Sequence, residues 1–482
     1  MVHLRPVLFI VGLFLIALGV VMALPALAEA LRGAAGWRSF AFSSGATIFF
    51  GGLLVASTFG TPIEFRLREA FLLTTLSWLS LSLFAALPFR FWGHGLDYAD
   101  AVFEAVSGVT TTGATVLVGL ERLPPGLLLW RGLLQLLGGV GFVAMGIAIL
   151  PFLRVGGMQL FRAESSDRTE KVLPRAAQIT RAVLTAYLLL NVACACSYWL
   201  AGMSGFDALV HAMATVSTGG FANYDSSFGR FDSALIDSIA MVFMILGALP
   251  FMIYIRMARG DLAAPLRDSQ VRNFLWLLTL TVVLLAFWVA ASEGIPFLAA
   301  LRYVGFNAIS VATTTGFVNI DYGAWGGYAT VAFFLLTFVG GCTGSTSGGI
   351  KMFRFEVMAI LIRRQFGRLL VPHGVYPRSY NGRPLPEDVP SAVLAFFFVF
   401  ILSAVAIALG LGAMGLDFLT SISGAVTALS NVGPGLGAVI GPAGNFSTLP
   451  DSAKWLLSFA MLLGRLELFT VMILFLPSFW RG

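Results

Sequence analysis

The sequence predicts an all-α polytopic membrane protein in which four similar repeats follow two extra N-terminal transmembrane helices. Of its 482 residues, 58% are hydrophobic and only 11% are charged, whereas soluble domains carry roughly 25% charged residues. Four apolar stretches each break into a short tract rich in hydroxyl groups and glycine. The tracts recur about every hundred residues, which is far longer than a solenoid repeat. These observations exclude a water-soluble fold and indicate four quasi-equivalent walls around one axis.

The apolar segments divide the chain into a helix pair and four repeats. A span needs about 20 mostly apolar residues, and we place the first two spans at 7–28 and 43–60. Each repeat is a pseudo-fourfold M1–pore-helix–M2 unit, in which M1 and M2 are long helices and the pore helix is a half-membrane helix that ends at the tract. The long helices are expected at 70–88, 127–152, 181–201, 234–257, 273–291, 329–362, 390–411 and 453–478. The expected domains are a helix pair at 1–69 and repeats at 70–180, 181–272, 273–388 and 389–482, with ten full spans.

The first span is interpreted as a retained helix. Residues 26–28 (Ala-Leu-Ala) resemble a signal-peptide cleavage site. However, the apolar run is long for a signal peptide, and further spans follow immediately.

Basic residues indicate the orientation of the spans. Three segments that connect one repeat to the next, 154–181, 256–272 and 351–383, are rich in arginine and lysine, which marks cytoplasmic loops. With an even number of spans, both termini are then expected in the cytoplasm. The formal charge of +6 is modest, and no basic run resembles a nucleic-acid patch, so we expect no nucleic-acid partner.

The pore helices are short enough to end inside the membrane. Each has about ten residues, or roughly 15 Å at 1.5 Å per residue, which reaches the middle of a bilayer. Asp100, Asp207 and Asp417 are candidate caps at their starts, and Pro296 suits a first turn. The tract after each pore helix is non-helical at membrane depth. Such backbone survives only when it is buried in protein or lines a wet cavity.

The four tracts align without gaps on four glycines. An alanine stands at one fixed distance before each of Gly113, Gly220, Gly316 and Gly433, and this spacing selects Gly220 over Gly219. Rings of backbone carbonyls can replace the hydration shell of a cation, and glycine permits the dihedrals that aim them inward. The expected ligands are carbonyls at Thr111, Thr112, Thr218, Gly219, Thr314, Thr315, Asn431 and Val432. The alternative, Gly/Thr helix-packing faces, is disfavoured because four tracts align in the same context.

Two tracts continue with a shared Gly-Phe-x-Asn-x-Asp sequence that ends at Asp225 and Asp321. These carboxylates have two interpretations. They raise the cation concentration at the outer mouth, or they form Asx-type turns with their own backbone. The two roles are compatible.

A glycine-rich interruption in the second long helix of repeat three is a candidate gate. Residues 340–349 hold five glycines among small residues, so a helix should break there. We interpret Gly344, Ser345, Thr346, Ser347, Gly348 and Gly349 as a flexible barrier below the filter; the alternative is a close helix-packing site of small residues. Lys351, which follows, either anchors this segment or marks the cytoplasmic boundary.

Arg465 lies near the centre of the last predicted span. A charge at that depth is costly and is a functional candidate by default, so we expect it to face the pore below the filter and to repel cations. Glu467 lies two positions away and on nearly the opposite side of the helix, which makes the two poor partners. The structural alternative is that each pairs with a different helix.

These motifs together resemble those of the Trk/Ktr superfamily of potassium transporters. The extra N-terminal helix pair resembles that of the TrkH-type membrane subunits within this superfamily. The resemblance rests on residues 107–115 (SGVTTTGAT), 217–221 (STGGF), 313–317 (TTTGF), 431–435 (NVGPG) and 340–351 (GGCTGSTSGGIK). It implies K⁺ uptake across a bacterial inner membrane, a homodimer, and a cytosolic nucleotide-binding regulator of the TrkA type. It also implies that Gly113 favours K⁺, because some relatives with serine there pass Na⁺, and that Arg465 works with the gating loop.

Three functions compete at this stage. A gated K⁺ pore is favoured, with K⁺ as the transported ion and no organic cofactor. A coupled symporter with Na⁺ or H⁺ is the alternative, with Glu104 and Glu467 as its candidate carboxylates. An enzyme is not expected, because no clustered nucleophile, acid–base pair or metal set is present. The three cysteines and four histidines have no metal-ligand or disulfide pattern.

Overall fold

The structure is a computed structural model that describes residues 3–60, 66–92, 95–148, 172–377, 379–381 and 383–481. The N-terminal pair comprises α1 (Leu4–Leu31) and α2 (Trp37–Thr58). The long helices of the repeats are α3 (Leu67–Ala85), α5 (Pro125–Ala148), α6 (Val172–Leu200), α8 (Ala234–Ala248), α9 (Phe251–Ala258), α10 (Ser269–Glu293), α12 (Gly326–Leu336), α13 (Met352–Leu370), α14 (Asp388–Ala413), α16 (Asp451–Arg465) and α17 (Phe469–Met472). The pore helices are α4 (Tyr98–Val109), α7 (Gly205–Val216), α11 (Phe297–Ala312) and α15 (Phe418–Ser430).

The remaining elements are short. Single helical turns lie at Leu87–Phe91, Leu120–Arg122, Ser227–Arg230, Ala264–Arg267, Tyr322–Trp325, Gly437–Ile440, Ile473–Phe475 and Pro477–Trp480. Two two-residue strands, β1 (Ser379–Tyr380) and β2 (Arg383–Pro384), form an antiparallel hairpin between repeats three and four. The fold class is therefore all-α, as predicted. Much of the basic connection at 154–181 falls on residues 149–171, outside the described part of the chain.

The predicted ten spans correspond to seven continuous helices and three broken ones. Among the described residues, seven helices are long and apolar enough to cross a membrane, and two bent helix pairs would raise the number to nine. The remaining predicted span, at 329–362, consists of α12 and α13, which the segment at 337–351 separates. Its interruption follows the prediction, but the expectation of unbroken helices at 234–257 and 453–478 is wrong.

Different backbone features produce the two bends. The helices α8 and α9 meet at 93° where Pro250, which lacks an N–H group, caps α9 in an extended conformation. The helices α16 and α17 meet at 108° where Glu467 and Leu468 have φ values of 61° and 36°. Both bends border the segment at 337–351. Phe251, the first residue of α9, donates its N–H to the Gly344 carbonyl at 3.0 Å. Arg465, the last residue of α16, donates to the Thr346 carbonyl at 2.9 Å.

The pore helices begin with caps that differ in part from the prediction. Asp417 caps α15 by accepting the Thr420 N–H at 3.0 Å. In α7, Ser204 is the cap and accepts the N–H of Asp207 at 3.1 Å. Asp100 lies in the first turn of α4 and Pro296 occupies the cap position of α11, so Asp100 and Asp207 are first-turn residues. Their negative charge still favours the positive end of the helix dipole.

The N-terminal pair is attached to repeat one by a buried carboxylate. Glu29 of α1 is 1% exposed, and its Oε1 atom accepts the N–H of Gly126 at 2.6 Å. Gly126 lies in the first turn of α5, where backbone N–H groups lack helical partners. One helix of the pair thus caps the second long helix of repeat one.

Candidate ion pathway

The four tracts share one backbone conformation. In each tract the sign of φ alternates over four residues, starting negative at the last residue of the pore helix or its cap. The left-handed residues are Thr111, Gly113, Thr218, Gly220, Thr314, Gly316, Asn431 and Gly433, with φ between 51° and 110°. Alternating left-handed and right-handed residues turn successive peptide planes to the same side. The carbonyl oxygens of a tract therefore line one face, as a carbonyl filter requires.

The tracts also meet as a closed ring. A Cβ atom built on any of the four aligned glycines would collide with a carbonyl oxygen of the next tract. The pairs are Gly113 with Gly219, Gly220 with Thr315, Gly316 with Val432, and Gly433 with Thr112. The order runs from the first tract to the fourth and back to the first. Glycine is required at these four positions for two reasons, because only glycine tolerates both the close approach of the carbonyl oxygen and the positive φ.

Three threonines in the ring are strained. Positive φ is an outlier for a β-branched residue, and each such residue costs on the order of 1–3 kcal/mol. Asn431, at the equivalent place in the fourth tract, belongs to a residue type that tolerates this region better. Its Nδ2 donates to Thr112 Oγ1 at 3.0 Å and to the Met461 carbonyl at 2.9 Å. Side-chain contacts around the ring therefore support a conformation that the backbone alone disfavours.

A cavity of about 190 Å³ opens at the outer end of the ring, lined by all four glycines and by Asp225. Asp225 also accepts the N–H groups of Gly119 at 2.7 Å and Leu120 at 3.0 Å, so it fixes the loop of the first repeat. Asp321 accepts the Gly323 N–H at 2.9 Å, which is the Asx-type turn. Only Asp225 therefore combines a structural bond with a place at the mouth.

An ion pair lies behind the mouth. Arg131 and Glu104 are both fully buried and lie 2.8 Å apart. Glu104 also accepts from Thr115 Oγ1 and the Val116 N–H, both at 3.0 Å, and Arg131 donates to the Ala222 carbonyl at 2.6 Å. The pair therefore joins the chain segments that follow the first and second tracts, and both oxygens of Glu104 accept hydrogen bonds.

The segment at 337–351 lies against the opposite, inner end of the ring. Thr346 Oγ1 is 2.9 Å from the carbonyl oxygens of both Val216 and Gly247. The Gly348 N–H donates to Thr314 Oγ1 at 2.7 Å, and the Gly349 N–H donates to the Ser430 carbonyl at 2.8 Å. Val216 and Ser430 are the last residues of two pore helices. The segment thus covers the inner side of the second, third and fourth tracts.

Two buried basic side chains bind carbonyl groups of this segment. Arg465 donates from Nη1 to the Thr346 carbonyl at 2.9 Å, and Lys351 donates from Nζ to the Ser347 carbonyl. The Phe142 ring of α5 lies under both, 4.1 Å from the Arg465 guanidinium and 5.1 Å from the Lys351 ammonium. Lys351 is only 2% exposed, so it anchors the loop and is not a surface boundary residue.

Glu467 pairs with Arg354 of α13, and not with Arg465. The guanidinium of Arg354 also stacks over Phe396 at 3.7 Å. Both charged side chains of the pair are almost fully buried. The bend between α16 and α17 is therefore joined to the helix that follows the loop, and Arg465 and Glu467 contact different partners.

Ion pairs also join neighbouring repeats near the outer ends of the pore helices. The Oδ1 atom of Asp100 in repeat one lies 2.5 Å from Nζ of Lys454 in repeat four. The Nε atom of Arg302 in repeat three lies 2.8 Å from Oδ2 of Asp237 in repeat two. These contacts fix the pore helices against adjacent long helices.

The sequence reasoning missed the residues of α5 that face the pathway. Arg131, Gln135 and Phe142 lie on one face of α5, at spacings of about one and two turns. Gln135 contacts the second tract, whereas Phe142 contacts the loop cations. Two polar residues four positions apart inside an apolar helix were an available signal. Among the described residues, no cluster of His, Cys, Asp and Glu forms a metal site.

The whole chain is similar to known transport proteins. The family described as TrkH, cation transport protein, matches residues 38–481. The Trk system potassium uptake protein TrkI of Halomonas elongata is 48% identical over 477 residues, covering 99% of this chain and 97% of that protein. The Trk system potassium uptake protein TrkH of Escherichia coli K12 is 37% identical, covering 99% and 100%. The crystal structure of the potassium transporter TrkH from Vibrio parahaemolyticus superposes with a TM-score of 0.92 at 34% identity, covering 100% of both chains.

Proposed function

The chain belongs to the TrkH family of cation transport proteins, and we propose that it takes up K⁺ through the ring of four tracts. It is a polytopic membrane transporter and not an enzyme. The ring carries this proposal, because four equivalent tracts place carbonyl oxygens of one chain around a common axis. Potassium transport in the named relatives supports K⁺ as the cargo.

The proposed ion ligands are the residues predicted from the sequence. They are Thr111, Thr112, Gly113, Thr218, Gly219, Gly220, Thr314, Thr315, Gly316, Asn431, Val432 and Gly433. Carbonyl groups at these positions replace the hydration shell of a dehydrated cation. The negative ends of the four pore-helix dipoles point at the same place, which supports a cation there without a formal negative charge.

The segment at 337–351 is the proposed gate. It lies across the inner end of the ring, on the side opposite to the mouth, and two cations bind its carbonyl groups. The positive charges of Lys351 and Arg465 oppose the passage of K⁺ while they stay there. Gly344, Ser345, Thr346, Ser347, Gly348 and Gly349 form the part that moves.

Coupling to H⁺ or Na⁺ is not favoured. Glu104 and Glu467, the two candidate carboxylates, are each held by an arginine. A proton relay needs a carboxylate that exchanges its proton along a chain of groups, and these two are engaged in structural pairs. We therefore propose passive, channel-like uptake down the electrochemical gradient.

The remaining parts of the proposal come from the family. The protein resides in a bacterial inner membrane with both termini in the cytoplasm, and it works as a homodimer with a TrkA-type nucleotide-binding regulator. Among the described residues, the exposed parts of the basic segments 256–272 and 351–383 are the proposed cytoplasmic surface for such a regulator. The N-terminal pair at 1–69 and the repeats at 70–180, 181–272, 273–388 and 389–482 are the proposed domains.

Ion flux into liposomes tests this function. The purified protein is reconstituted with K⁺, Rb⁺ or Na⁺ gradients, with and without a TrkA-type regulator. We expect K⁺ and Rb⁺ flux that exceeds Na⁺ flux and increases when part of 340–349 is deleted. Absence of K⁺ flux under both conditions would contradict the pore, whereas unchanged flux after the deletion would contradict the gate alone.

A further inference from the structure

The second tract lacks a side chain that the other three possess. Gly219 stands where the other tracts have Thr112, Thr315 and Val432. In the first and third tracts this threonine bonds to the threonine two residues earlier, with Oγ1–Oγ1 distances of 2.7 Å and 2.8 Å. The second tract cannot form this bond, although its backbone has the same conformation. The fourth tract, which has Val432 there, lacks this bond as well, and its Asn431 bonds to Thr112 and Met461 instead. In the second tract a different residue takes this supporting role.

Gln135 of α5 occupies the place of the missing side chain. Its amide is buried, and a Cβ atom built on Gly219 would overlap that amide. The Nε2 atom donates to the Gly219 carbonyl at 2.6 Å, and Oε1 accepts the Phe221 N–H at 3.1 Å. Gly219 and Gln135 are thus complementary, because a side chain at position 219 fits only if the glutamine amide leaves this place.

The bond to Gly219 reaches the ring itself. The Gly219 carbonyl oxygen packs against Gly113 of the first tract. At the other three contacts of the ring, the carbonyl oxygens of Thr315, Val432 and Thr112 occupy the equivalent position. One carbonyl of this set therefore shares its lone-pair density with an amide donor. Its position is therefore fixed from two sides.

We propose that Gln135 is a specificity-determining residue of the filter. It holds the Gly219 carbonyl at the radius that suits K⁺ and spans the left-handed Gly220 through its second bond to Phe221. This inference rests on the proposed function of the ring. Without the amide, the second tract relaxes and the ring accommodates ions of other sizes.

Substitution of Gln135 tests the proposal through ion preference. Gln135→Met keeps a similar length but removes the donor and the amide acceptor. We expect the K⁺ over Na⁺ permeability ratio, taken from reversal potentials in liposomes, to fall about tenfold, which is the equivalent of roughly one hydrogen bond. The control Ser403→Ala removes another buried hydrogen-bonding group, on α14, whose hydroxyl donates to the Val399 carbonyl of its own helix at 2.8 Å, and should keep the wild-type ratio.

A compensating pair keeps the test decisive if Gln135→Met does not fold. In Gln135→Ala/Gly219→Thr, a threonine replaces the glutamine amide with the group that the first and third tracts use. This double variant should regain a ratio within about threefold of wild type, whereas Gly219→Thr alone should misfold or lose selectivity because the glutamine remains.

The outcomes separate this proposal from the proposed function. A wild-type ratio in folded Gln135→Met overturns the role of Gln135 but leaves the pore intact. If Gln135→Met does not fold, a double variant that folds and conducts K⁺ without preferring it over Na⁺ overturns the proposal. Absence of K⁺ flux in the wild type would instead overturn the proposed function.

Discussion

The hydroxyl of Thr346 provides the sharpest test of the gate. It lies at the centre of the loop, 2.9 Å from two carbonyl oxygens, of which Val216 belongs to a pore helix and Gly247 to α8. Gly247 keeps a second partner, the Thr346 N–H at 3.2 Å. Thr346→Val changes the shape of the side chain little and removes the hydroxyl. The variant therefore weakens the closed arrangement without filling or emptying space.

The expected size follows from the energetics of buried hydrogen bonds. A hydrogen bond makes a net contribution of about 0.5–1.5 kcal/mol to stability, and a buried acceptor left without a donor costs about 1–3 kcal/mol. We therefore expect Thr346→Val to destabilise the closed state relative to the open state by about 1.5–3 kcal/mol. Because each 1.4 kcal/mol is roughly a factor of ten, the open-to-closed ratio should rise by about 10- to 150-fold.

The assay is the open probability of the reconstituted protein without a regulator, measured by single-channel recording or by Rb⁺ uptake into liposomes. Thr343→Val is the matched control. Thr343 lies in the same loop, and its hydroxyl has no hydrogen-bond partner among the described residues. That control should change the ratio less than about threefold. Equal effects of the two variants, or reduced flux in Thr346→Val with an unchanged melting temperature, would refute the reasoning.

Three further outcomes follow from the contacts around the ring. Gly113→Ser should lower the K⁺ over Na⁺ permeability ratio at least about tenfold, because a Cβ there meets a carbonyl oxygen; an unchanged ratio would contradict the filter assignment. Arg354→Met should lower the free energy of unfolding by about 3–5 kcal/mol in a denaturation assay, and adding Glu467→Leu should restore most of it; equal losses in both would exclude a coupled pair. The reversal potential for K⁺ should not respond to a pH gradient, and Glu104→Gln should leave that insensitivity unchanged; a shift with pH in the wild type alone would indicate proton coupling through Glu104.

Much of the backbone could be predicted because its determinants are local. The four tracts are recognisable from glycine beside hydroxyl residues, and each aligned glycine has a positive φ. The loop at 340–349 was recognisable for the same reason, since glycine-rich sequence cannot continue a helix. The bend at Pro250 had an equally local signal, a proline within a predicted span, and the sequence reasoning overlooked it.

The remaining features depend on packing between distant segments. The bend after Arg465 occurs at Glu467 and Leu468, neither of which favours a positive φ. It is stabilised by the pair between Glu467 and Arg354, two residues far apart in the chain. Gln135 likewise looked like an isolated polar residue in an apolar helix. Its partner Gly219 becomes apparent only when the second tract is placed beside α5.

Within the described part of the chain, only repeat three carries a long glycine-rich segment, at 337–351, between the two halves of its second long helix, and this asymmetry has a thermodynamic consequence. A pore built from four identical subunits repeats each moving part four times, so the free energy of rearrangement is multiplied by the number of copies. Here one peptide segment contacts the inner ends of the second, third and fourth tracts. Under the proposed gate, a single local equilibrium decides conduction, and a regulator has to supply the free energy of displacing only one segment in each chain.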